Sequence, residues 1–392
     1  MDARRHEDGA SEASGVLRVA FLLFVGGWGA NHFVSLLPLY RAGLHLSAAA
    51  AAIVFGVYAL GLVPSLVLGG PLSDRIGRRR VVVLSVLTAT LGGVILALGR
   101  ESFAGLLLGR FVVGAGSGAT FSAGSAWLVD CLGEAGASSR AAGATMALSA
   151  GFGLGPLFAA GLSALGVWPL VVPYAVQAAA ALAALILVAP VVDTKRPPAP
   201  ASAAPSAERG SSAGPSWGTR ARLAAVAPWV FALPCFAMVV LPAAVREQLG
   251  AAAPAFAGAC AASALVPGAL VQRWMAKLSP GAQARLGLLA GALGVLVGAV
   301  AAAYGSVAGV WAAAPMLGVG HGLTFAAGMR TAVSSSAPAE RGKAVGVFYG
   351  MAYAGFVAPF AFAALSERAG SSVAFGAFAV VAAATALVRL QE

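Results

Sequence analysis

Twelve separate runs of mostly apolar residues constrain this chain more than any other feature. They fall at about 18–40, 47–70, 80–99, 103–130, 140–165 and 168–191, then 223–245, 251–273, 284–304, 307–333, 343–366 and 371–389. Each has about the ~20 residues that an α-helix needs to cross a ~30 Å hydrocarbon core. No water reaches that core, so each run must satisfy its own backbone N–H and C=O groups, which a helix does. Composition closes off a soluble alternative. Only 10% of the residues are charged and 59% are hydrophobic, with a mean hydropathy of +0.87, whereas soluble domains carry ~25% charge. The expected fold is therefore an all-α integral membrane protein with twelve transmembrane helices.

The runs divide six and six. Residues 1–15 form a polar tail, 16–192 a first six-helix bundle, 193–222 a linker with five prolines, and 223–392 a second bundle. The first apolar run, from Val16 to Tyr40, exceeds the ~7–15-residue core of a signal peptide and lacks a clear small-residue cleavage site, so it reads as a retained helix. With the N-terminus in the cytoplasm, 20 of the 25 Lys and Arg lie on the cytoplasmic side. That bias places both termini in the cytoplasm, on the inner side of the cell membrane. It also explains the net charge of +11 without a nucleic-acid partner. Cys131, Cys235 and Cys260 are scattered in or beside apolar runs, with neither disulfide nor metal spacing.

An internal repeat supports the division. Gly114-Ala-Gly116-Ser-Gly118-Ala-Thr120-Phe121 returns 204 residues later as Gly318-Val-Gly320-His-Gly322-Leu-Thr324-Phe325, and Gly143 to Pro156 has the spacing of Gly346 to Pro359. Two such matches in register indicate two pseudo-symmetric bundles, as parallel repeats about the membrane normal produce.

Between the second and third runs lies Gly69-Gly70-Pro71-Leu72-Ser73-Asp74-Arg75-Ile76-Gly77-Arg78-Arg79-Arg80. By composition it is a short hydrophilic hairpin with one carboxylate among four arginines. Gly70 and Gly77 suit a tight turn and a close helix approach. A charged topology loop with an incidental Asp would also account for it. The order Gly-x-x-x-Asp-Arg-x-Gly-Arg-Arg-Arg, at Gly70, Asp74, Arg75, Gly77, Arg78, Arg79 and Arg80, resembles the signature loop of the major facilitator superfamily. That resemblance implies a secondary transporter working by alternating access, with this stretch as a conformational latch. A degenerate partner lies at Pro267 to Arg273, where Gln272 or Arg273 replaces the acid.

Arg110 stands two turns inside the fourth run. An arginine at such depth costs ~2.5–3.5 kcal/mol on insertion scales, so it should face the bundle interior, unless it snorkels to the interface. The stretch from Arg110 to Gly114 resembles the superfamily's fourth-helix motif, which implies a role in proton coupling. In the fifth run, Gly151, Gly155 and Pro156 read as helix packing and bending. They are also similar to the motif of the exporter branch, although Ala159-Ala160 replaces its usual Gly-Gly. Export of a hydrophobic or drug-like molecule is the implied direction.

Asn31 and His32 in the first run suit substrate contact, proton relay or an interhelical hydrogen bond. His321, at the repeat position of Ser117, allows the same readings. No acid stands in the first run, which many drug–proton antiporters of the family carry there. Asp130, near the end of the fourth run, suits an interfacial partner for Arg140 or the signature arginines better than a mid-membrane proton site. Tyr58, Trp127, Gln177, Tyr349 and Tyr353 are further candidates to line a cavity.

No Gly-x-x-x-x-Gly-Lys-Ser/Thr loop occurs, so direct ATP drive is unsupported. No enzyme motif stands out, and neither cofactor nor metal is expected. The expected partners are membrane lipids, a small-molecule substrate and the proton, with the protein a monomer. Proton-linked or facilitated uptake of a metabolite is the alternative within transport. A transporter-like receptor or assembly factor that moves nothing is the alternative outside it.

Overall fold

The computed structural model describes residues 2–131, 137–193, 217–336 and 341–388. Among these residues there is no strand. Ten helices are long and apolar enough to cross a membrane: α1 Ser14–Gly43, α2 Ala48–Ile76, α3 Arg78–Leu98, α4 Phe103–Cys131, α5 Ala147–Ala164, α7 Trp217–Ala244, α8 Arg246–Trp274, α9 Pro280–Ala303, α10 Val307–Ser334 and α11 Ala344–Ala369. Two shorter apolar helices, α6 Val172–Val188 and α12 Ser371–Thr385, complete the twelve. Large apolar side chains such as Leu60, Leu84, Leu98, Ile186 and Val380 stay exposed on their outer faces, as lipid-facing surfaces require.

Several boundaries differ from the sequence reading. The helix that contains α1 begins at Asp2, inside the stretch read as a tail. Residues 217–222, read as linker, are the first turns of α7, while 194–216 and the side chain of Arg140 lie outside the described residues. The 69–80 stretch is not a hairpin loop. Helix α2 runs on to Ile76 and α3 starts at Arg78, so Gly77 alone makes the turn. Its φ of 106° lies where L side chains are strained.

The chain forms two compact units. One comprises Met1–Phe33 and Val57–Ser206, the other Val34–Gly56 and Ala207–Glu392. In this division the end of α1 and the start of α2 fall in the second unit.

In the first unit, α4 packs backbone to backbone on two neighbours. A Cβ at Gly114 or Gly118 would strike the carbonyls of Tyr58 and Leu62 on α2, and one at Gly116 would strike Ser85 and Ala89 on α3. The second unit repeats this with α10: Gly318 and Gly322 face the carbonyls of Ala264 and Gly268 on α8, and Gly320 faces Gly287 and Gly291 on α9. Thr120 and Thr324 both donate to the carbonyl four residues back, at 3.0 and 2.7 Å. The sequence repeat is thus a packing repeat, because only hydrogen at the α-carbon lets two helices approach this closely. Gly151 and Gly155 likewise seat α5 on α1 at Phe24 and Trp28.

Candidate functional site

The ionic cluster around Gly77 is built from α2, α3, α4 and the residues just after α6. Arg78 is buried. Its guanidinium meets Asp74 at 2.7 Å, Asp130 at 3.1 Å and the Ser73 hydroxyl at 2.6 Å. Its Nε and both terminal nitrogens are thereby used, as a buried cation requires. Arg75 and Arg80 are exposed. The carboxylate of Asp193, a residue the sequence reading passed over, accepts the backbone N–H of Arg79 at 3.0 Å. It supplies the N-cap of α3 that Gly77, lacking a side chain, cannot. A Cβ on Gly77 would collide with that carboxylate, whereas among the described residues one on Gly70 would meet only the Ser122 hydroxyl at 3.0 Å. The close approach expected at Gly70 is made by its neighbour: a Cβ on Gly69 would stand 2.9 Å from the Ala119 α-carbon.

The second unit fastens the corresponding turn with the opposite polarity. Arg330 of α10 donates to the Leu278 and Ala276 carbonyls at 2.7 and 3.3 Å and to the Gln283 side chain at 3.2 Å. Gln272 turns back onto the Gly268 carbonyl of its own helix at 3.1 Å. The cation sits on α10 here, and the turn contributes carbonyls rather than an acid.

The mid-span polar residues of the first unit surround a small space. Helix α1 is interrupted at His32. Asn31 donates its side-chain amide to the Phe152 carbonyl at 2.8 Å. Phe152 lies four residues before Pro156, which has no N–H to offer that carbonyl, so the amide of α1 covers what the proline of α5 leaves open. Arg110 is buried, with its guanidinium carbon 4.5 Å from the ring centroids of both Phe33 and Tyr58, a cation–π sandwich. It also reaches the Ala30 carbonyl at 3.5 Å. The buried His32 ring stands edge-on to Tyr174 at 4.7 Å, and among the described residues its Nδ1 has no hydrogen-bond partner. His32, Ser117, Thr120 and Gln177 line a cavity of about 20 Å³, room for one water. Trp127, a candidate lining residue, is instead fully buried and donates to the Val192 carbonyl at 3.1 Å.

The second unit holds the matching device. His321 Nδ1 lies 2.5 Å from the Val230 carbonyl. Val230 is four residues before Pro234, again a carbonyl that proline deprives of its donor. A carbonyl only accepts, so this contact puts the proton on Nδ1. An aromatic group continues from there: Phe231 stacks on Tyr353 at 4.4 Å and Tyr349 on Tyr353 at 6.3 Å, with Phe325 stacked 6.2 Å from His321. Tyr349 and Tyr353 therefore belong to one cluster of packed rings with His321.

A family model described as Major Facilitator Superfamily matches residues 19–357. No curated protein matches the sequence. Several crystal structures are similar in fold. A POT family transporter in complex with 5-aminolevulinic acid is 15% identical with a TM-score of 0.78, each chain covered to 95%. The peptide transporter POT in complex with sulfate is 14% identical with a TM-score of 0.78, covering 95% of this chain and 93% of that one. A mutant of the nucleoside transporter NupG is 13% identical with a TM-score of 0.72, the coverages being 95% and 98%.

Proposed function

Because this chain belongs to the Major Facilitator Superfamily and is thereby a multi-pass membrane transport protein rather than an enzyme, we propose that it exports a small, weakly charged organic molecule in exchange for protons by alternating access. The observation that carries the reading is the chemistry of the spans. Asp130 is the only acid among the apolar runs, and it is engaged by Arg78. A highly charged substrate would want several buried counter-charges, so a weakly charged one suits this interior. The proton then falls to histidine, and His32, buried beside a one-water space with Nδ1 unpartnered, is our candidate to carry it. The glycine-backed contacts within each bundle suit bundles that move as rigid bodies, with Asp74 and Arg78 as the latch. We place the protein in the cell membrane with both termini cytoplasmic, on the distribution of its basic residues.

Export rests on the likeness of Gly151, Gly155 and Pro156 to an exporter motif. A second reading, proton-linked uptake, draws on the fold neighbours, which include peptide and nucleoside transporters. Reconstituted vesicles under an imposed pH gradient separate the two, using a compound found by a resistance and uptake screen of a deletion strain. Export by exchange moves protons opposite to the compound, and His32→Gln should uncouple them. Protons moving with the compound would establish uptake, and no proton movement would sink both readings.

A further inference from the structure

A cavity of about 360 Å³ lies within the second compact unit, against the end of α7 and the start of α8. This volume is within the ~300–1,000 Å³ typical of small-molecule sites. Its wall is apolar, with Leu37 of α1, Met238 and Val240 of α7, Phe362 of α11 and Phe375 of α12. Along that wall α7 is π-helical, over Phe236–Val240, and such insertions often mark functional sites.

Arg41 and Arg246 also line this cavity, and both line a second, more open one of about 620 Å³. The two cavities share these arginines together with Pro38 and Ala253, so the cations stand where an apolar chamber meets a wider vestibule. The two guanidiniums are near enough to act on one another electrostatically. Among the described residues neither forms an ion pair with a carboxylate. Arg41 donates its Nε–H to the Leu46 carbonyl at 3.3 Å. The acids on these cavities, Glu367 on the first and Glu247 on the second, are both exposed. Two like charges held together at the mouth of an apolar chamber are relieved by an anion placed between them.

We propose that this chamber binds a small anionic amphiphile, with its apolar part among Leu37, Met238, Phe362 and Phe375 and its single carboxylate, phosphate or sulfonate on Arg41 and Arg246. The site uses none of the residues invoked for transport, so it stands or falls separately from that reading.

Radiolabelled laurate tests it, by scintillation proximity on the full-length protein in neutral maltoside. Saturable binding is expected, with dodecanol, the same chain without the charge, competing at least ~10-fold less well, as the loss of a charged hydrogen bond implies. Arg41→Gln and Arg246→Gln should each weaken laurate by ~10-fold or more on the same grounds. Arg41→Lys should keep most of the affinity, which separates lost charge from a damaged fold. Ala257→Trp, which fills the chamber, should abolish binding while the protein stays monodisperse. Displacement of laurate by phosphatidylglycerol would assign the site to a membrane lipid, and failure to displace would assign it to a free amphiphile; both support an anionic amphiphile. Absence of saturable binding, equal competition by dodecanol, or wild-type affinity in both glutamine variants would overturn it.

Discussion

Replacing Asn31 by leucine removes the amide that covers the Phe152 carbonyl at 2.8 Å. If that carbonyl is open only because Pro156 lacks an N–H, the cost must depend on the proline. A buried acceptor stripped of its donor costs ~1–3 kcal/mol in soluble proteins. Interhelical hydrogen bonds measured within membranes average ~0.6 and reach ~1.7 kcal/mol. Asn31 is 8% exposed and its acceptor has no backbone substitute, so the upper part of the membrane range applies, ~1–1.7 kcal/mol. In a Pro156→Ala background the N–H of residue 156 can return to Phe152, and the same Asn31→Leu change should then cost little. The coupling energy in the double-mutant cycle is therefore about 1 kcal/mol. Packing errors from leucine itself cancel between the two backgrounds. Melting temperatures of the four proteins in one detergent, read by intrinsic fluorescence, supply the cycle at a few degrees per kcal/mol. Additive effects, with Asn31→Leu equally damaging in both backgrounds, would show that the amide does not answer the proline.

The glycine contacts predict position-dependent damage. Gly318→Ala, which drives a Cβ into the Ala264 backbone, should destabilise by ~1–3 kcal/mol, whereas Gly376→Ala, with nothing within 4 Å, should be neutral or better; equal melting temperatures would refute the packing argument. Asp193→Ala removes the cap on the Arg79 N–H and should cost ~0.5–2 kcal/mol, visible as earlier proteolysis at the start of α3. Asp74→Asn should leave expression and melting nearly unchanged, since the Asp74 side chain is 44% exposed, but sharply reduce transport in vesicles. Arg78→Ala should reduce both transport and melting temperature, because Asp130 and Ser73 each lose a contact with its guanidinium as well; wild-type flux in both variants at matched expression would contradict the latch.

How much of this was legible beforehand follows from the range of each interaction. The need to bond every backbone group inside a hydrocarbon slab acts on each segment alone, so twelve helices could be counted from hydropathy. Glycines two and four residues apart announce close packing for the same reason, and the 204-residue repeat already showed that two helices would use it alike. Which surfaces they meet, α2 and α3 for α4 and α8 and α9 for α10, is not written in that spacing. The polar residues show the limit best. Asn31, Pro156 and His321 are each conspicuous in the sequence, yet nothing in their positions couples Asn31 to a carbonyl 121 residues away or His321 to one 91 residues away. The helix at Ile76, too, runs through residues whose charge suggests a loop, because Arg78 finds Asp130, and Asp193 caps the next helix, only once α4 and α6 are in place. Local chemistry thus fixed the helices and the side of each that must be small. Partnerships between polar groups were decided by packing, because an unsatisfied group in an apolar interior takes whichever partner the neighbouring helix brings within 3 Å.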